Sequence, residues 1–238
     1  MRLSLTNKFA ALLAGLALAG PMPQPVRSAP LPAAAAEAPG GPQRLEQAIY
    51  DGWRASKLLG SAVFSQKGEY LGEVRNAILD DGGHIRFVVV QGAAAGKEPE
   101  FVFRIPWARL VRPPHPGALI ADFSDLQSRQ YGLFFDPDQQ PHDSDFRISR
   151  VIGDDARLQT GQGFGYVSDL VFGEGGRLLA VLISRDASGG GGIFAFPWPG
   201  ATGKWSAAMS YYGLPYVTDE QARQAGLRVD LGRFNRQS

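Results

Sequence analysis

The sequence of 238 residues contains no cysteine, which excludes disulfide bonds, thiol catalysis, thiolate metal sites and anchoring through a lipidated cysteine. It has no marked excess of charge either: the formal net charge of +1 excludes a strongly basic nucleic-acid binder. It also has no apolar run of the ~20 residues that a membrane-spanning helix needs. The 30 glycines and 17 prolines are many for a helical bundle and favour short strands joined by turns.

The first 29 residues have the pattern of a signal peptide. Two basic residues precede an apolar run, Phe9–Ala19, whose length falls in the range of about 7–15 residues typical of a signal-peptide core. Small residues offer three cleavage sites, at Ala19, Ala29 and Ala38. An uncleaved anchor is the alternative, which the short run and Pro21 disfavour. We therefore expect a periplasmic or extracellular protein with no transmembrane helix in the mature chain.

Residues 30–42 consist almost entirely of proline, alanine and glycine. Such a segment cannot bury much apolar area, so it is interpreted as a linker between the processed end and the folded part. A linker of this kind favours a protein that is held at a distance from a surface. The alternative interpretation of these residues is an alanine-rich disordered end.

An internal repeat is the most informative feature of the sequence. When Arg54–Gln91 is placed over Arg147–Ser184 at a constant offset of 93, ten of the 38 pairs are identical. Roughly two to four identities are expected by chance at this composition. At an offset of 91, the Pro-Trp pair at Pro106-Trp107 matches Pro197-Trp198. The chain therefore holds two copies of one unit.

Half of the identical pairs are glycines, and their positions predict the turns of a β-rich unit. Gly82-Gly83 and Gly175-Gly176 lie between apolar runs, where a hairpin turn needs positive φ. Gly72 and Gly165 lie inside strand-like runs, where a bulge or a tight bend is expected. In the first copy the predicted strands cover Ser61–Ser65, Tyr70–Leu79, Ile85–Val90 and Glu100–Ile105. Each copy is thus expected to form a small closed or half-closed barrel.

The residues of the first copy resemble the PRC-barrel family. The resemblance rests on Arg54–Gly60, Gly68–Val74, Gly83–Val90 and Ile105–Trp107, and the second copy shows it more weakly. The family is named for the barrel of the photosynthetic reaction-centre H subunit, and it includes the C-terminal domain of a ribosome-maturation factor. The resemblance implies a mainly all-β fold of two tandem small barrels. It implies no catalytic residue, because the family shares none.

The predicted organisation follows from these segments. It comprises a signal peptide (1–29), a linker (30–42), barrel 1 (43–111), a connector (112–146), barrel 2 (147–200) and a C-terminal aromatic segment with a short helix (201–238). The spacing Thr218-x-x-Gln221 is that of a capping box, and Gly226 is a stop signal, so a helix is predicted at Asp219–Ala225. Gln43–Trp53 and Phe123–Tyr131 are further candidate helices.

Four aromatic residues crowd together before the C-terminal helix. They are Trp205, Tyr211, Tyr212 and Tyr216. Such residues dominate both cores and interfaces, so they either cover the barrel core or form an exposed contact surface. They are the candidate interaction residues.

No set of residues predicts catalysis, a cofactor or a metal site. Gly161-x-Gly163-x-Gly165 resembles a phosphate loop, but no helical pattern follows it. His142, Asp143 and Asp145 offer oxygen and nitrogen ligands without the spacing of a calcium loop. We therefore expect a non-enzymatic, exported module of the cell envelope that binds another protein or a membrane-associated complex, and no nucleic acid. The alternative is a periplasmic protein that binds a small ligand or metal, with or without enzymatic activity, in a groove between the barrels.

Overall fold

The fold is described from a computed structural model, which covers residues 41–92, 101–110, 118–122, 142–198 and 209–234. All of these residues lie in one compact unit, Ala33–Ser238. The strands are β1 (Trp53–Arg54), β2 (Ala62–Ser65), β3 (Tyr70–Leu79), β4 (Ile85–Gly92), β5 (Phe101–Pro106), β6 (Ala118–Ala121), β7 (Phe146–Arg147), β8 (Asp155–Arg157), β9 (Gly163–Phe172), β10 (Leu178–Arg185), β11 (Gly192–Pro197), β12 (Tyr211–Gly213) and β13 (Leu227–Val229). The helices are α1 (Gly41–Asp51), α2 (Ala55–Leu58), α3 (Ile148–Val151), α4 (Asp219–Ala225) and α5 (Leu231–Phe234), with a 3-10 turn at Trp107–Arg109.

The strands form two sheets, which confirms the prediction of a mainly β fold. In the described ranges the first sheet has the order β5-β4-β3-β2-β6, and β7 pairs with β3. The second sheet has the order β12-β8-β9-β10-β11-β13, and β1 pairs with β9. Buried and less buried side chains alternate along β2, so this strand turns one face to the core and the other outward.

The two sheets are built alike, position by position. In the first sheet β2 pairs antiparallel with β3 and parallel with β6, and in the second sheet β8 pairs antiparallel with β9 and parallel with β12. The offset of 93 found in the sequence relates β2 to β8 and also β6 to β12. Seven glycines with positive φ lie at positions where both repeats have glycine: Gly60, Gly68, Gly72, Gly83, Gly153, Gly161 and Gly176. The repeat therefore extends beyond the aligned segments.

Each repeat donates its first strand to the sheet of the other repeat. Trp53 and Arg54 of β1 pair with Phe172 and Val171 of β9. In the same way, β7 pairs with Ile78 and Leu79 of β3. This reciprocal exchange joins the two repeats through backbone hydrogen bonds as well as through side-chain packing.

The hairpin turns of the two repeats meet at a local twofold axis. His84 forms a bridge with Arg177, which is its own counterpart at the offset of 93. On either side of the bridge, the Ile85 backbone N–H donates to the Gly176 carbonyl at 2.9 Å and the Leu178 N–H donates to the Gly83 carbonyl at 2.8 Å. Because each contact has a counterpart related by the local twofold axis, the repeats pair as the two subunits of a symmetric dimer do.

Most of the interior forms one hydrophobic core that runs through both repeats. A second, smaller cluster lies on the outer face of the second sheet, where α1 packs Ile49 and Tyr50 against Val171, Ala180 and Leu182. The helix ends at Asp51 rather than at Trp53 as predicted, because Trp53 joins β9. A side chain at Gly52 would have its Cβ 2.6 Å from the Phe172 carbonyl oxygen, so glycine permits this close entry into the sheet.

The folded repeats extend beyond the boundaries predicted for the barrels. β6 lies in the predicted connector, and β12 and β13 lie in the predicted C-terminal segment, yet each pairs with a sheet. Leu110, which follows β5 after the 3-10 turn, bridges Ala121 of β6, so the chain leaving one end strand reaches the other end strand. The first sheet is thus a half-closed barrel. The helix predicted at Phe123–Tyr131 lies outside the described residues, and the one at Asp219–Ala225 is confirmed with both hydrogen bonds of its capping box.

Candidate interaction surface

The structure separates the three described members of the aromatic group that the sequence predicted. Trp205 lies outside the described residues. Tyr212 is 2% exposed and its ring stacks on Trp198 with ring centres 6.2 Å apart, so it belongs to the core. Tyr216 is half-buried beside Phe196, and burial raises the pKa of its hydroxyl. Tyr211 points to the opposite side of β12 from Tyr212 and is the member of the described set that lies on the outer face.

A second tyrosine lies on the same face as Tyr211. Across the sheet, Tyr211 is opposite Asp155 of β8, and Asp155 is opposite Tyr166 of β9. Residues that are directly opposite in neighbouring strands share a face, and two strand spacings place the tyrosine backbones about 10 Å apart. Tyr166 is 51% exposed, which is high for an aromatic residue in the middle of a strand.

An ion pair lies between the two tyrosines. The Arg157 guanidinium lies over the Tyr211 ring, 5.3 Å from its centre, and its Nη2 donates to the Asp155 carboxylate at 3.1 Å. The Asp155 side chain is largely exposed and the Arg157 side chain is partly exposed, so the pair adds little to stability. Tyr166, Tyr211, Asp155 and Arg157 are called the tyrosine face below.

The first repeat shows that the fold does not require this arrangement. The positions of Tyr211, Asp155 and Tyr166 correspond to Ala118, Ala62 and Glu73, which have the same pairing in the first sheet. The same backbone thus forms with alanine and glutamate at the two tyrosine positions. Tyr166, which is exposed and which the packing of the sheet does not require, therefore indicates a contact surface, and the half-buried Tyr211 lies on the same face.

The sequence identified Tyr211 but not Tyr166. Tyr166 lies in a run that the repeat alignment explained by its glycines, and its counterpart is Glu73. The sequence did contain a signal for Tyr166. It is an aromatic residue at an outward strand position where the matching strand of the first repeat has a charged residue.

Two of the residues considered for a metal or phosphate site, Asp145 and Gly161, have structural partners. The Asp145 carboxylate pairs with Arg86 at 2.5 Å and accepts the His142 backbone N–H at 2.8 Å. Gly161 donates its N–H to the Leu158 carbonyl at 2.9 Å in a tight turn. Within the part of the chain that the structure describes, no group of three or more His, Asp or Glu residues could hold a metal ion.

The junction between the repeats is filled by aromatic side chains. Trp53 stacks on Trp107 with ring centres 5.8 Å apart, and both indole N–H groups donate to carbonyls of the opposite turn, at Gly173 and Gly175. Phe146 and Trp198 form the equivalent pair on the other side of the local twofold axis, with ring centres also 5.8 Å apart. These residues pack directly on one another at the junction.

The fold and the surface together define a mainly β, two-repeat protein with one exposed tyrosine, Tyr166, on the outer face of its second sheet. Residues 51–127 match the family model of the PRC-barrel domain. The chain therefore contains a PRC-barrel domain, and the match reaches past β6, in agreement with the pairing of that strand in the first sheet. Comparison with curated proteins finds no similar sequence. Among the described residues, no helix has the length and apolar character needed to cross a membrane.

Proposed function

We propose that this protein is a non-enzymatic, exported module of the bacterial cell envelope that binds a protein partner through its tyrosine face. The observation that carries the proposal is a pair of outward-facing tyrosines, the exposed Tyr166 and the half-buried Tyr211, at positions where the first repeat has glutamate and alanine. Tyrosine is enriched at protein interfaces because it combines a large apolar area with a hydrogen-bonding hydroxyl.

The proposal assigns different roles to the two repeats. The second repeat is taken as a second PRC-type barrel, supported by its equivalent strand pairing and glycine positions. The first repeat stabilises it through the exchanged strands, and the second presents the binding face. A duplicated unit of this kind can change one copy for binding while the other keeps the framework.

Replacing Tyr166 with alanine tests the proposal directly. We expect Y166A to weaken binding of the partner recovered from envelope extracts by at least about tenfold, as truncation of an interface aromatic does. Its free energy of unfolding should stay within about 0.5 kcal/mol of the wild-type value, because half of the side chain is exposed. The measurements are quantitative pull-down and urea unfolding.

The matched control is Tyr70→Ala, since Tyr70 is a 44% exposed tyrosine on the outer face of the first sheet. Y70A should leave partner binding within about twofold of wild type, a change of less than about 0.5 kcal/mol. Equal losses in Y166A and Y70A would contradict a specific face. Tyr212→Ala is unsuitable as a binding variant because it would remove a core side chain.

Export is the second part of the proposal and has its own test. The apolar run Phe9–Ala19 and the small residues after it predict removal of a signal peptide, with Ala19, Ala29 and Ala38 as alternative sites. N-terminal sequencing of protein purified from the native envelope should find a start just after one of these residues. Protein that keeps Met1 would contradict export by cleavage.

A further inference from the structure

We infer that the partner presents a proline-rich segment in the polyproline II conformation to the tyrosine face. This inference rests on the proposed function and specifies the chemistry of the partner. The first argument is spacing. A polyproline II helix has three residues per turn and rises about 3.1 Å per residue, so equivalent prolines recur every ~9 Å. The backbones of Tyr166 and Tyr211 are about 10 Å apart across the sheet.

The second argument is hydrogen-bond polarity. Proline has no N–H group, so a proline-rich segment offers carbonyl acceptors only. The tyrosine face offers donors: the hydroxyl of the exposed Tyr166, and the half-exposed guanidinium of Arg157, whose Nη2 contacts Asp155. Proline rings pack well on tyrosine rings, and aromatic-lined grooves are the common receptors for this conformation.

The third argument is charge. The Asp155–Arg157 ion pair leaves the tyrosine face without net charge. A neutral face suits a neutral proline-rich segment and offers no attraction to a phosphate backbone, so single-stranded nucleic acid, which also stacks on aromatic rings, fits less well. A polyproline II segment is also preorganised, which reduces the conformational entropy lost on binding.

The experiment is calorimetric titration of the full mature protein with a ten-residue oligoproline peptide. A Gly/Ser peptide of the same length is the comparison ligand. We expect saturable binding of oligoproline, weakened at least about tenfold by Y166A and by less than about twofold by Y70A, as expected when one stacking ring is removed. The Gly/Ser peptide should show no saturable binding, because it has neither proline rings nor a preference for this conformation.

Each of the following results would overturn the inference. They are absence of oligoproline binding, equal binding of the Gly/Ser peptide, equal effects of Y166A and Y70A, and saturable binding of a ten-nucleotide RNA that Y166A abolishes. If a peptide of residues 30–42 binds while oligoproline does not, the linker of this chain is the ligand, which also overturns it. A chain that dimerises through Tyr166 in sedimentation would assign the face to a second copy instead. Loss of the native partner in Y166A without oligoproline binding would reject this inference and leave the proposed function intact.

Discussion

Replacing Gly72 with alanine should lower the free energy of unfolding by about 3 kcal/mol or more, because two separate costs add. Gly72 has φ +145°, in a region that other residues rarely adopt. An added Cβ would also lie 2.2 Å from the Gln91 carbonyl oxygen of the neighbouring strand. The pairing of β2 with β3 shifts register beside this residue, so the close approach occurs where the sheet bends.

Gly68→Ala is the matched control for this prediction. Gly68 has φ +80°, but a Cβ there would have no atom within 4 Å, so G68A should cost only the backbone strain, about 1 kcal/mol. Urea unfolding of both variants measures the difference. If G72A were no less stable than G68A, the close approach of β3 to β4 would not limit this position.

The second large effect is expected at Asp169, which connects the two repeats. Its carboxylate accepts the Ser56 hydroxyl at 2.6 Å and the Ser56 backbone N–H at 3.0 Å, and Arg54 lies 3.7 Å away. Asp169→Ala would leave the largely buried Arg54 guanidinium without this countercharge. We therefore expect D169A to lower the free energy of unfolding by about 3 kcal/mol.

The other repeat supplies the control for Asp169. Asn76 is its counterpart, and the Asn76 amide donates to the Ser149 hydroxyl at 2.7 Å, as a neutral and more exposed version of the same contact. Asn76→Ala should cost about 1 kcal/mol, and Asp169→Asn should cost less than D169A because the hydrogen bonds to Ser56 can persist. Urea unfolding should give this order. Equal losses in D169A and N76A would show that the charge of Asp169 contributes nothing.

The sequence predicted the local structure well because local rules govern it. The strands of the first repeat and the helix at Asp219–Ala225 follow from apolar alternation, glycine corners and a capping box. Each of these signals acts over a few residues, so chain neighbours suffice to show it.

The candidate surface was harder to predict because it depends on pairing between distant strands. Tyr211 and Tyr166 are separated by 45 positions in the chain, and β8 between them brings them together. Tyr211 and Tyr212 are adjacent, yet one faces outward and the other is in the core. Composition identifies a group of aromatic residues, but only the pleat of β12 decides which side each takes.

The sequence by itself determined the internal repeat, the β-rich character and the PRC-barrel match of residues 51–127, because the glycine turns and apolar strands behind them are local features of the sequence. The tertiary structure alone decided that each repeat lends its first strand to the other and that β6 and β12 complete the sheets. Those strands are short, and their partners lie far along the chain or in the other repeat. Their positions are set by which backbone edges are left to pair once the longer strands have assembled.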